Sequence, residues 1–362
     1  ELPGLKNINI KNFNPLYVLS PSKKKQITLI KKKVKEASEV ILATDDDREG
    51  EAIAWHICEM CKLPVETTKR IIFHEITKNA ILSSLENYSY VNMNKVYSQQ
   101  TRQILDIIVG FRISPKLWTY IQNGLSAGRC QTPALKLIYD NHLLPNNQTF
   151  NYDVKGYFTS NNLKYILDSC LEEPEEFLEK CKNYDFIMSL NPSYITKKSP
   201  PKPLITSSIQ QKASNLYNFS PKLTMSICQK LYESGYITYM RTDNACFSKE
   251  FINSAKKTII KNWGESYVNK NINNLSSNQS KPGQEAHEGI RPTHIEWVKL
   301  PDDFENNEKK LYKLIWNQSI EACMSEAIGE KIKSIITAPL DRKCIYETEN
   351  ITFKGWLIVQ NK

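Results

Sequence analysis

Residues 235–244 read GYITYMRTDN. On a short strand the faces alternate, so Ile237, Tyr239 and Arg241 point one way and Tyr236, Thr238 and Met240 the other. That places a phenol beside a guanidinium. A phenolic oxygen, with a pKa of about 10 in water, becomes a useful nucleophile when nearby positive charge offsets its affinity for the proton. Arginine supplies a permanent charge with donors shaped for phosphate. The chemistry this pair suits is attack on a phosphodiester. The local residues also admit an ordinary reading, because the chain has 18 Tyr and a strand tyrosine beside an aromatic is often a half-buried packing group.

A second set of reactive groups sits earlier. Asp45, Asp47 and Glu49 recur two apart in TDDDREGE, directly after the apolar run of residues 40–43. In an extended loop they would face one side at the carboxyl edge of a sheet, where open α/β domains bind ligands. Three carboxylates repel one another unless a divalent cation neutralises them, and an all-oxygen set favours Mg²⁺ over zinc. The alternative is a solvated acidic turn that caps the following helix near Glu51 through its dipole.

The elements that must position these groups are legible from spacing. Residues 24–36 carry Ile27, Ile30 and Val34 at helical intervals, residues 40–43 form a continuous apolar run of buried-strand type, and a second helix passes through Ile53, Ala54, Ile57 and Cys61. This is a helix-strand-loop-helix unit of an α/β domain. Residues 77–140 are mostly helical, with breaks expected at Ser114-Pro115 and at the glycine-marked turn of residues 123–129. Short β-like runs follow between about 151 and 194, and SPPKP at 199–203 reads as a stiff connector at a domain boundary. Ser220 is a good N-cap, Pro221 fits the first turn, Leu223, Ile227 and Leu231 form a stripe, and Gly235 falls where a helix ends left-handed. Residues 269–284, rich in Asn and Ser, are expected to be a mobile surface loop.

Composition narrows the class. The 362 residues, 40% hydrophobic, can bury several cores, and Lys plus Arg exceed Asp plus Glu by 48 to 39, a balance compatible with a polyanionic partner. The nine Cys lack a framework spacing; Cys58 and Cys61 have no second pair downstream, so they are expected on one helix face rather than in a zinc site. Reduced thiols and an intracellular protein are expected. No apolar run approaches a membrane span, and the start, ELPG, carries neither a signal pattern nor an initiator Met.

Taken together, five motifs resemble the type IA DNA topoisomerases. Residues 40–56, VILATDDDREGEAIAWH, are similar to the metal-binding strand and loop of that family's TOPRIM domain, and 70–81, RIIFHEITKNAI, to the stretch that closes it. Residues 124–135, GLSAGRCQTPAL, resemble the helical segment lining the single-strand groove; 236–244, YITYMRTDN, the tyrosine segment; and 286–293, AHEGIRPT, a companion element. DREGEAIAWH and LSAGR look closer to the bacterial topoisomerase I branch, CQTPAL to topoisomerase III.

The resemblance implies a multidomain α/β plus α and β fold, an open toroid of a TOPRIM α/β domain, helical domains and a β-rich arch. The expected boundaries are 1–79 for TOPRIM, 80–148 for the helical groove domain, 149–204 for the first part of the arch, 205–328 for the tyrosine domain and 329–362 for the return to the arch. The family's TOPRIM domain opens with a strand carrying a Glu and then a Lys, neither of which precedes Lys24, so the chain is expected to begin inside that domain and to cleave poorly by itself. Hinges are expected at the two arch junctions, including residues 200–203.

It further implies that Tyr239 attacks one DNA strand to leave a 5′-phosphotyrosyl link, that Arg241 holds the scissile phosphate, and that His287 handles a proton or contacts phosphate. Asp45, Asp47 and Glu49 are implied as Mg²⁺ ligands, and Arg102, Arg129, Gln131 and Arg291 as DNA contacts. Where the family often has Arg after the Asp of its groove helix, this chain has Ile107 after Asp106, so that contact is either missing or supplied by Arg112. The expected activity is ATP-independent strand cleavage, passage and religation that relaxes negative supercoils, by a monomer acting on DNA with single-stranded regions, with no membrane or nucleotide cofactor. Three alternatives stay open: a topoisomerase III-like decatenase; a TOPRIM nuclease or primase with a structural Tyr239; and a non-catalytic single-strand binder.

Overall fold

The computed structural model describes residues 1–143, 151–276 and 287–360. The contacts divide the chain into two compact units, residues 1–146 and, with the small exception of residues 283–286, residues 147–362.

In the first unit a short antiparallel pair, β1 (Ile8–Asn9) and β2 (Asn14–Pro15), precedes α1 (Lys24–Glu36), α2 (Arg48–Cys61), α3 (Lys78–Glu86), α4 (Met93–Tyr120) and α5 (Gln131–Leu143). The apolar stripe of residues 24–36 gives a helix over that span. The run of residues 40–43, expected as a buried strand, is reduced to one parallel bridge, Leu42 with Arg70. Leu42 donates its N–H to Lys69 O and accepts from Ile71 N, while Ile41 is exposed. A ladder on one side buries only the residue that points into the core, and Leu42 packs there with Ala54, Cys58, Val91 and Val96. Cys58 and Cys61 both lie on α2, as free thiols.

A second correction concerns Pro115. The expected break is absent, and α4 runs 28 residues through it. A proline costs a helix one hydrogen bond and a local clash, but tertiary contacts hold this turn. Ser114 Oγ accepts from Ala127 N at 3.0 Å and Trp118 Nε1 donates to Leu125 O. The 123–129 turn between these helices pivots at Gly124, whose φ is +86°.

The second unit combines a sheet with a helical core. β3 (Lys155–Tyr157), β4 (Lys164–Leu167), β5 (Met188–Leu190), β6 (Tyr194–Lys198), β7 (Ala327–Ala338) and β8 (Arg342–Phe353) form an antiparallel sheet in the order β3-β4-β8-β7-β5, with β6 also on β7. The helix α6 (Pro174–Cys181) covers part of one face, burying Phe177 against Tyr165, Leu167, Ile336 and Cys344. The helical part holds α7 (Thr206–Tyr217), α8 (Pro221–Glu233), α9 (Lys249–Trp263) and α10 (Asn306–Ala322). At α8 the punctuation works as the residue types dictate: Ser220 Oγ accepts from Leu223 N, Pro221 opens the helix, and Gly235 follows its end at φ +78°. Of the loop expected at residues 269–284, residues 277–284 lie outside the described residues.

Sheet and helices of this unit meet at a polar junction. Gln318 Nε2 donates to Lys202 O at 2.7 Å, Trp356 Nε1 to Lys198 O at 3.0 Å, and Ser199 Oγ to Glu326 Oε1 at 3.1 Å. Glu321 sits in this junction at 4% exposure, and burial pushes its carboxyl up to about 7 against the opposing pull of Lys212 and Gln360. The folded state therefore keeps a proton that the unfolded chain releases near pH 4, so this group's contribution to stability is greatest below about pH 4 and is lost as the pH rises towards 7. Glu321→Gln removes that penalty. Urea unfolding is expected to show no change at pH 4 and a gain of up to roughly 3 kcal/mol at pH 8.

Candidate active site

The acidic loop of the first unit is built around α2. This helix begins at Arg48, and Asp47 is its N-cap, with Oδ1 accepting from Gly50 N at 2.6 Å. Glu49 therefore lies in the first helical turn, and the extended alternation that would have aligned it with Asp45 and Asp47 stops at the cap. Among the described residues these three carboxylates are not gathered with donor atoms within 4.8 Å of one another. Gly50 packs directly beneath the loop: a Cβ there would lie 2.1 Å from Asp45 O, so no other residue fits.

Asp46, Glu49 and Glu51 each have a basic neighbour. Glu49 Oε1 takes Arg102 Nη1 at 3.2 Å, and Asp46 Oδ1 takes Lys95 Nζ at 2.9 Å, both cations coming from α4. His74 Nδ1 lies 3.8 Å from Asp46 Oδ2. Beneath them Arg70 is wholly buried; its Nη2 reaches Glu51 Oε2 and Asp45 O, at 3.2 and 3.0 Å. Glu51 Oε1 in turn accepts from Asn92 N at 2.6 Å. Asp46, Lys95, Arg70 and Glu51 were not singled out from sequence; the only signal was a charged residue, Arg70, opening an apolar run.

The donors this loop offers are all oxygen. A hard cation such as Mg²⁺ keeps several waters and takes one or two carboxylates rather than a closed protein cage, so an all-oxygen loop of this kind could hold one through part of the set. Along α4 the loop adjoins a 680 Å³ cavity lined by Glu49, Arg102, Asp106, Phe111, Trp118 and Ser126. Arg129, from the turn before α5, is held in a fork on Asp106, with Nε at 2.9 Å, and Gln131 Nε2 donates to Ser126 Oγ at 3.2 Å. Arg112 is exposed on α4.

The tyrosine segment lies in the second unit, and here the strand expected for residues 236–241 is not formed. One bridge, Ile237 with Pro292, replaces it, with Thr238 N on Arg291 O and Thr293 N on Tyr236 O. The chain pairs with the loop of residues 287–293 over too few residues for a ladder, because Pro292 has no N–H to donate. Tyr239 is 2% exposed and Arg241 is exposed, so the two do not share the environment that alternation implied. The Tyr239 ring packs on Tyr232, edge-on at 5.3 Å, and on His287, tilted at 5.1 Å between centroids. The structure thus brings together Tyr239 and His287, 48 residues apart in sequence.

Arg291 lies in the same loop. Expected at DNA, it is 5% exposed and engaged with Glu288 through Nε and Nη2, both at 2.8 Å. Its guanidinium lies 4.7 Å over the Phe251 ring. Burial alone would push the Glu288 carboxyl up; the Arg291 fork and the Ser248 amide outweigh it and hold the group below the ordinary range.

The DNA topoisomerase family matches residues 90–362, and the Toprim domain family matches residues 9–76. The chain belongs to the type IA DNA topoisomerases. It is 39% identical to the DNA topoisomerase 1 of Buchnera aphidicola from Schizaphis graminum over 97% of its own length and 42% of that relative's. Against the DNA topoisomerase 1 of Campylobacter jejuni the identity is 40%, covering 88% of this chain and 49% of that one. The structure of full-length topoisomerase I from Thermotoga maritima matches all of the chain at a TM-score of 0.80 and 30% identity, with 62% of that structure covered. The chain spans less than half the length of the first of these relatives. No helix among the described residues is long and apolar enough to cross a membrane.

Within this topoisomerase chain Arg70 and Glu51 set the footing of the acidic loop. Arg70→Met leaves a buried carboxylate without its cation, and such losses cost about 3–5 kcal/mol. Urea unfolding should show that loss, and the double variant Arg70→Met with Glu51→Leu should recover most of it.

Proposed function

We propose that the full-length protein is a working topoisomerase that cuts and reseals one DNA strand through Tyr239. The observation that carries this reading is the pairing of the buried Tyr239 with His287, on a segment tied to a second, remote loop. In the cleavage step the Tyr239 oxygen attacks phosphorus as its proton departs, a new phosphoester forms, and the 3′-oxygen leaves to take up a proton. One ester replaces another. The energy of the cut bond stays in the 5′-phosphotyrosyl link, so resealing by the 3′-hydroxyl needs no ATP.

His287, against the tyrosine ring, is placed to hold or pass the proton, and Arg241, exposed two residues on, to meet the phosphate. Asp45, Asp47 and Glu49 would hold Mg²⁺, whose charge when bound offsets that of the phosphate oxygens. Arg102 lines the α4 cavity on Glu49, and Arg129 is held on Asp106, which also lines it, an arrangement that suits a single strand lying along that helix. Relaxation of negative supercoils follows if cutting is coupled to strand passage, and the protein would act where DNA is, inside the cell.

The test is a covalent protein–DNA adduct trapped by denaturant during reaction with a single-stranded oligonucleotide and Mg²⁺. The full-length protein is expected to give one and Tyr239→Phe none, with oligonucleotide binding kept. Cleavage that persists in Tyr239→Phe without an adduct would instead point to a metal-dependent nuclease. Binding should weaken steeply between about 50 and 200 mM salt.

A further inference from the structure

Glu288, the residue after His287, forms a largely buried ion pair with Arg291, and nothing in the cleavage chemistry uses them. Their geometry is unusually complete. Arg291 donates to both Glu288 oxygens at 2.8 Å, to Pro292 O at 3.1 Å and to Ser248 Oγ at 3.4 Å. Glu288 Oε2 also accepts from Ser248 N at 2.7 Å, at the N-terminus of α9, where the helix dipole favours a carboxylate. Phe251 closes the face of the guanidinium. With four donor contacts made inside the protein and 5% exposure, this side chain is poorly placed to reach a phosphate.

A buried ion pair contributes little net stability, and its best-attested use is to select one geometry. The geometry selected here concerns Tyr239 and His287. Thr238, just before the tyrosine, is locked to the same loop: its N–H donates to Arg291 O at 2.9 Å, and its Oγ1 donates to Gly289 O at 3.0 Å and accepts from Arg291 N at 3.1 Å. Asn244 Nδ2 donates to His287 O at 2.8 Å. The loop also lies close-packed at Gly289, where a Cβ would meet Pro203 Cβ at 3.0 Å and Leu204 O at 3.2 Å. Both reactive side chains are thus fixed through the residue next to them in sequence.

We infer that Glu288 and Arg291 are positioning residues for cleavage: their fork, rooted on α9, sets His287 against the Tyr239 ring and makes no contact with DNA. This rests on the reading of Tyr239 as the nucleophile. The class of effect is pre-organisation, in which a displacement of about 1 Å costs on the order of 10²-fold in rate.

The experiment uses the full-length protein with Mg²⁺ and a single-stranded oligonucleotide, comparing wild type, Glu288→Gln, Arg291→Lys and Tyr239→Phe. It measures the single-turnover rate of adduct formation against pH, and oligonucleotide affinity against salt. Glu288→Gln and Arg291→Lys, both folded by circular dichroism, should slow adduct formation by about 10- to 100-fold and shift its pH profile, because His287 no longer sits as before. Affinity and its salt slope should be unchanged. The inference is overturned if either folded variant matches wild type in rate and pH profile. It is equally overturned if Arg291→Lys alters affinity and the salt slope, the mark of a phosphate contact. Should Arg291→Lys fail to fold, the isosteric Glu288→Gln decides by the same readouts. An adduct formed by Tyr239→Phe would sink the nucleophile reading itself, a result distinct from a dead Tyr239→Phe with an unaffected Glu288→Gln.

Discussion

Arg70 has left water entirely, and a guanidinium cannot do so without anionic or carbonyl partners. Its Nη2 reaches Glu51 and the carbonyl of Asp45, while Nε and Nη1 find no hydrogen-bond partner among the described residues. That burial is costly, and it is offset only if α2, the acidic loop and the segment of Arg70 keep one arrangement. Asp47 can cap α2, and Gly50 can pass within contact of Asp45 O, because that footing is fixed. The same constraint recurs in the second unit, where Arg291 is matched by Glu288 and the loop carrying His287 is held in turn.

Both pairs sit one layer below groups of functional interest. Above Arg70 lies the acidic loop, in which Asp46 and Asp47 are buried while Glu49 and its partner Arg102 are both partly exposed. Beside Arg291 lies a tyrosine shielded from water between Tyr232 and His287. A charge buried beneath a site makes displacement of the site expensive, whereas a charge at the surface is screened and contributes little. The exposed ion pairs on α1 and α6, such as Lys32 with Glu36 and Lys180 with Glu176, belong to the second kind.

Several features of the fold were legible because they depend on neighbours in sequence. Ser220, Pro221 and Gly235 punctuate α8 through hydrogen bonds and φ values set within four residues. The stripe of residues 24–36 needs only the helical period. The misreadings share the opposite cause. Pro115 was expected to break α4, but Ser114 is tied to Ala127, 13 residues away. Residues 236–241 have a strand's alternation, yet a strand requires a partner ladder, and the partner here offers Pro292 at the bridge.

By itself the sequence determined which chemistry was available: a tyrosine and arginine two apart, an all-oxygen acidic run after an apolar one, and five motifs in family order. Residue type and local period carry that information directly. Only the tertiary structure decided which of those groups are presented and which are consumed as supports. Arg291 and Arg241 look alike in a sequence, but one is buried on Glu288 and Phe251 and the other is exposed. Tyr239 has as a ring neighbour His287, 48 positions away in sequence, a pairing that local spacing does not show. A side chain's solvation and partners are properties of the packed chain, and they decide whether a charge serves as a reagent or as a support.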